Sequence, residues 1–104
     1  MIGEHEKVIL TRKEFNNLLF SKMYQCYDRE ISSIAGKPKL KILIQDLPAK
    51  SFIKLYGEEW TVTVVTYESE RWGDDYFIGS HKNLLTAVSL AWLSWKSDKQ
   101  YQLK

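Results

Sequence analysis

Ser80-His-Lys-Asn-Leu-Leu-Thr-Ala-Val-Ser-Leu-Ala-Trp-Leu-Ser-Trp-Lys96 is the stretch whose reading decides the fold. Leu84, Val88, Ala91, Trp92 and Trp95 recur at i, i+4, i+7, i+8 and i+11, which is one face of an α-helix. Gly79 frees the chain to turn, and Ser80 is placed to cap the first exposed backbone N–H groups. Two tryptophans on one face need a broad, flat partner, most simply a β-sheet. Thr86, Leu90 and Leu93 make a second apolar stripe on the side away from the tryptophans.

The strands of that sheet lie just upstream. Trp60–Tyr67 (Trp-Thr-Val-Thr-Val-Val-Thr-Tyr) is β-branched or aromatic throughout. Trp60, Val62 and Val64 are expected to face a helix, with Thr61, Thr63, Val65 and Tyr67 on the other side. Tyr76–Gly79 returns antiparallel, because the polar connection Glu68–Asp75 is too short for a crossover. Lys39–Gln45 alternates, with Leu40, Ile42 and Ile44 on one side, and predicts a third, half-buried strand. Residues 48–56 fit either of two readings. One is a short helix, with Pro48 in its first turn and Gly57 after its end; the other is a strand hairpinned to Trp60 through Gly57-Glu-Glu59. The helical turn is the preferred reading.

Upstream again, Thr11-Arg-Lys-Glu14 has the spacing of a capping box, flanked by Leu10 and Phe15 as a hydrophobic staple. A helix is predicted from residue 12 to about residue 34, ended by Gly36 and Pro38. Phe15, Leu19, Met23 and Cys26 form its main stripe, so Cys26 is expected in the core. Phe20, Tyr24, Tyr27 and Ile31 form a second stripe, rotated around the helix axis. The expected architecture is a single α+β domain spanning residues 1–104. Its antiparallel three-stranded sheet lies between a long N-terminal and a C-terminal helix (α-β-β-β-α), and residues 1–7 and 97–104 are flexible. Whether the helices share one sheet face is left open.

Composition narrows the function. The chain has 104 residues, 15 basic against 13 acidic, for a net charge of +2. That balance does not by itself imply nucleic-acid or anionic-membrane binding. A single cysteine, Cys26, allows no intramolecular disulfide and favours an intracellular protein. No segment reads as a membrane span or secretory signal, so the expected location is cytoplasmic. The aromatic share, 13% with four tryptophans, is high and suits both a core and a binding surface.

No constellation for catalysis emerges. His5 falls in the N-terminal arm and His81 in the first turn of the last helix. There Ser80, His81 and Lys82 read as an ordinary helix start rather than an anion site. A Cys–His dyad would need Cys26, which the stripe assigns to the core. There is no C-x-x-C and no histidine pair at helical spacing, so no metal site is expected. Glu68, Glu70, Asp74 and Asp75 lack the spacing and central glycine of a calcium loop. No phosphate cradle, nucleophile elbow or cofactor motif is present.

Two resemblances carry expectations. Trp60, Val62 and Val64, followed by Leu84, Ala87, Val88 and Ala91, resemble the core pattern of small phage-encoded helix–sheet–helix proteins, the phage ABA-sandwich domains. That likeness implies an accessory protein of a phage or other mobile element. The helix–three strands–helix order of the chain resembles double-stranded-RNA-binding domains, a likeness of topology that covers residues 60–95. Within Gly79-Ser80-His81-Lys82-Asn83-Leu84-Leu85, Lys82 matches the lysine-rich helix start with which that family grips phosphates.

The expectation is a non-enzymatic domain that binds another protein, with a homodimer also possible. The candidate contact residues are Arg71, Trp72, Tyr24, Tyr27, Leu90 and Leu93, chosen for residue type or for lying on stripes that one sheet cannot cover. The alternative is a nucleic-acid binder using Lys37, Lys39, Lys41 and Lys82.

Overall fold

The computed structural model describes residues 5–26, 40–69 and 73–104. Along the chain these form β1 (Lys7–Leu10), α1 (Arg12–Cys26), α2 (Leu40–Asp46), β2 (Phe52–Tyr56) and β3 (Glu59–Ser69). β4 (Gly73–His81), α3 (Leu84–Ser97) and β5 (Gln100–Leu103) complete the order. β2, β3 and β4 make an antiparallel sheet in that order, while β1 and β5 pair in parallel as a separate ribbon. The chain is an α+β protein.

The helix that decides the fold is covered on every side. Each residue of α3 from Thr86 to Ser94 is buried, the condition of a helix that is apolar all round. One side packs on β3 and β4; the other meets α1, α2 and β5. Val62, Val64 and Phe77 supply the sheet's contribution to a single core cluster that also holds Ala87, Val88, Leu90, Ala91 and Trp92 of α3. Phe15, Leu19 and Met23 of α1, with Leu43 of α2, close the far side. Among the described residues the sheet therefore carries its helical cover on one face, with α3 as the middle layer.

Gly79 makes that layering possible. It sits in β4 opposite Val62, and a Cβ there would stand 2.5 Å from the Ala91 nitrogen and 3.0 Å from the Leu90 Cβ. Its role is close approach of helix and strand rather than a turn. The helix start differs accordingly. Ser80 and His81 stay in the sheet, paired with Thr61 and Trp60. Asn83 is the cap: its Oδ1 accepts from the Thr86 N–H at 3.0 Å.

Residues 40–46 are helical, not a strand. Leu40, Leu43 and Leu47 fall at i, i+3 and i+7 and all face the core, with Leu43 fully buried. This spacing competes with the alternation of Leu40, Ile42 and Ile44, and contact with α3 selects it. Trp92 locks α2 in place by donating its indole Nε1–H to Asp46 Oδ2 at 2.8 Å. The same carboxylate lies 3.2 Å from Lys96 Nζ.

The short helix expected around 48–56 is instead β2, hairpinned to β3 through Gly57 and Glu58. Gly57 has φ +61°, as the first position of a type II′ turn requires. A further strand pair, not expected from the sequence, joins distant parts of the chain. Residues 7–10 pair with residues 100–103, and Tyr101 is buried with its N–H donated to Ser94 Oγ at 3.0 Å.

The start of α1 is as expected. Glu14 Oε1 accepts from the Thr11 N–H at 3.0 Å, and Thr11 Oγ1 accepts from the Glu14 N–H at 3.2 Å. Cys26, assigned to the core from its stripe, is exposed at the end of α1, one turn beyond the last buried contact, Met23. The predicted continuation of this helix to residue 34, and its stop at Gly36 and Pro38, lie outside the described residues.

Candidate functional site

The antiparallel register sorts the sheet residues into two faces. The inner one carries Trp60, Val62, Val64, Phe77 and Gly79 under α3. The outer one carries Phe52, Lys54 and Tyr56 on β2, Thr61, Thr63 and Val65 on β3, and Tyr76, Ile78 and Ser80 on β4. Phe52 and Ile78 flank Thr63 in the same rank, and Tyr76 stands opposite Val65. Phe52 (44% exposed), Tyr76 (47%) and Ile78 (45%) leave about half their surface to solvent. Thr63 and Val65, between them, are buried. The Lys54 ammonium stands 5.3 Å from the Phe52 ring centroid and gives the apolar strip a cationic edge.

Of the six contact residues chosen from sequence, Leu90 and Leu93 are each 1% exposed. The stripe they define packs inside the protein, because α3 has neighbours on both sides. It is not a surface for a partner. Tyr24 is exposed on α1, its ring stacked on exposed Phe20 with centroids 6.4 Å apart. Tyr27, Arg71 and Trp72 lie outside the described residues. Of the four lysines of the nucleic-acid alternative, Lys41 is exposed on α2 and Lys82 at the β4–α3 corner. Lys37 and Lys39 lie outside the described residues.

The outer-face residues are not among the candidates the sequence offers. The preferred reading of 48–56 puts Phe52 and Tyr56 in a helical turn, and the short return strand leaves the facing of Tyr76 and Ile78 open. The alternation Phe52-Lys54-Tyr56 is the available signal, and it becomes legible once the hairpin through Gly57 is recognised.

A second constellation gathers at the start of β1. His5, expected in a loose arm, is mostly buried, with its ring stacked on Phe77 at 4.2 Å between centroids. His5 Nε2 lies 2.7 Å from Asp75 Oδ1, and His5 Nδ1 lies 3.4 Å from Asp98 Oδ1. Asp75 is buried on β4, and its Oδ1 also accepts the Tyr76 N–H at 2.9 Å. Asp98 adopts a left-handed conformation (φ 54°) at the C-cap of α3, which turns the chain toward β5. An imidazole held between two carboxylates pins β1, β4 and the α3–β5 corner together. His5, Asp75 and Asp98 bring one ligand atom each within 4.8 Å of one another, and in this arrangement the imidazole itself bridges the two carboxylates. Among the described residues neither ring nitrogen is paired with a hydroxyl or thiol nucleophile.

His81 is likewise occupied structurally: its Nδ1 accepts the Asn83 N–H at 3.0 Å and shapes the corner before α3. No helix among the described residues is long and apolar enough to cross a membrane.

No family model, curated protein or solved structure matches this chain.

Proposed function

We propose that this protein is a small binding module that docks a partner protein on the open face of its sheet, without chemistry of its own. The observation that carries this reading is the exposed apolar cluster on the sheet face that no described helix covers. α3 seals the inner face, while Phe52, Tyr76 and Ile78 stand together on the other, half exposed around Thr63 and Val65. Large exposed apolar side chains clustered in this way mark interaction surfaces, whereas scattered ones do not. Aromatic anchors with a cationic edge are the side chains most often found at the energetic centre of a protein interface. An accessory role like that of the phage-encoded helix–sheet–helix proteins it resembles suits such a module.

The test is capture from a lysate of the source cell with wild type, Phe52→Lys/Tyr76→Lys and a surface control, Lys82→Glu, as baits. The expected result is a partner retained by wild type and by the control and lost by the double variant. Each truncation at such a site typically costs ~2 kcal/mol of binding. An unchanged set of bound proteins refutes the reading. A partner lost only from Lys82→Glu, or binding that weakens steeply with salt against duplex nucleic acid, moves the assignment to the nucleic-acid class.

A further inference from the structure

A gap separates the two sheets, and the unpaired main chain on its walls identifies what fits there. Ile78 pairs with Thr63 across β3–β4, yet its own N–H bonds to Gln100 Oε1 at 2.9 Å, so its main chain points away from β3. Gln100 Nε2 also donates to the Ile78 carbonyl. One side-chain amide thus makes both bonds that a neighbouring strand would make. Two residues further along β4, Ser80 points its N–H and C=O the same way, by the alternation of an antiparallel ladder. No group among the described residues bonds that N–H.

The facing wall is β5. Gln100 N–H bonds to the Glu6 carbonyl and Lys104 N–H to the Leu10 carbonyl, each at 2.8 Å, so residues 100, 102 and 104 address β1. Tyr101 and Leu103 therefore turn their main chain to the other side. The Tyr101 N–H is taken by Ser94 Oγ; the Leu103 N–H has no partner among the described residues. Between the walls lies a cleft of about 780 Å³, with Ser80 and Leu103 at its sides and Leu90 of α3 contributing to its lining.

We propose that this cleft binds an extended peptide segment of a partner protein. The segment adds as a short strand along β4 beyond the point where Gln100 takes that place. This rests on the reading of the protein as a protein-binding module, and it names the recognition mode: main-chain pairing by strand addition, with side-chain selectivity from a mixed lining in which Lys7 and Glu59 stand beside Ile78 and Leu103. An unpaired N–H on each wall favours a polypeptide backbone over a small apolar ligand. The Gln100 amide shows that β4 accepts strand-like pairing on this edge.

The experiment selects binders from a phage-displayed pool of random linear heptapeptides on full-length protein, then maps them by amide hydrogen exchange. Selected peptides are expected to slow exchange at Ser80 and Leu103. Ser80→Pro removes the N–H on a free strand edge, where proline is tolerated, and is expected to weaken binding by roughly tenfold. Ser80→Ala, which keeps the N–H, is expected to bind as wild type. Peptides that protect neither amide and are lost in Phe52→Lys overturn the cleft assignment while leaving the open-face reading intact. Failure to enrich any peptide also overturns it, and the lysate capture then judges the broader reading separately. Should Ser80→Pro fail to fold, exchange at Ser80 and Leu103 in wild type decides alone.

Discussion

Replacing Gly79 with alanine probes the contact on which the whole layering depends. The added Cβ would meet the Ala87 carbonyl oxygen, the Ala91 nitrogen and the Leu90 Cβ, of which the first two are main chain of α3. Main chain in the middle of a buried helix has no rotamer with which to retreat. The 2.5 Å approach to the Ala91 nitrogen falls about 1 Å short of comfortable van der Waals separation. The helix must then lift from the sheet, loosening Val62, Val64 and Phe77, all almost completely buried against it. Overpacking of this kind costs about 1–3 kcal/mol and occasionally more. Relief of the glycine entropy penalty in a strand returns roughly 0.5–1 kcal/mol. A net loss of about 1.2 kcal/mol, with a urea m-value of ~1.5 kcal/mol per M, moves the midpoint down by about 0.8 M. Equilibrium urea unfolding followed by tryptophan fluorescence reads this directly. Gly57→Asn is the control. Gly57 has φ +61° with nothing near its Cβ position, and asparagine tolerates that backbone region. It should stay close to wild type. A Gly79→Ala midpoint equal to or above wild type would refute the close approach of β4 and α3.

Three further outcomes follow from other contacts. Asp46→Ala leaves the buried Trp92 indole N–H without its carboxylate and should cost about 1–3 kcal/mol in urea unfolding; Lys96→Ala, which removes the partly exposed ion pair with the same carboxylate and the ammonium's 4.0 Å contact with the Trp95 ring, should cost less. Cys26 should react with a thiol reagent in the native protein at close to the rate of a free thiol, because it is exposed; slow labelling that appears only in urea would return it to the core. The backbone N–H of Thr11, then its hydroxyl, hold the Glu14 carboxyl below its ordinary range. A depressed folded-state value means that the cap's contribution is complete above the unfolded carboxylate range and fades as pH falls through the folded one. The stability difference between wild type and Glu14→Ala should therefore shrink on acidification, and a difference that grows there contradicts the capping box.

The parts of this fold that were legible in the sequence are those fixed by local chemistry. Thr11 and Glu14 announce the start of α1 because a capping box is complete within one helical turn. The β-branched run from Trp60 onward marks β3 for similar reasons, and the spacing of Leu84, Val88 and Trp92 marks α3. The misread parts depend on distant partners. Leu40–Asp46 satisfies two periods, and only the position of α3 decides between them. β1 and β5 are each four residues long and pair across nearly the whole chain, Lys7 with Gln100 and Leu10 with Leu103, so neither carries a strand signal of its own. Leu90 and Leu93 read as a surface only if α3 has one neighbour, the sheet. A helix apolar on two sides is better read as a middle layer. His5 gives no signal for a related reason, since Asp75 and Asp98 reach it only after the chain has folded. The open face around Phe52, Tyr76 and Ile78 required the β2–β3–β4 register, which follows from recognising Gly57 as a hairpin glycine.

Exposure of the outer sheet face is the premise of the functional reading, and methyl NMR with a soluble paramagnetic probe measures it. The Ile78 methyls should be broadened strongly by the probe, while those of Val62, Val64 and Val88 on the inner side of the sheet and in α3 stay sharp. An Ile78 signal as protected as that of Val64 would mean that the face is already covered within the monomer, and the docking account would fail.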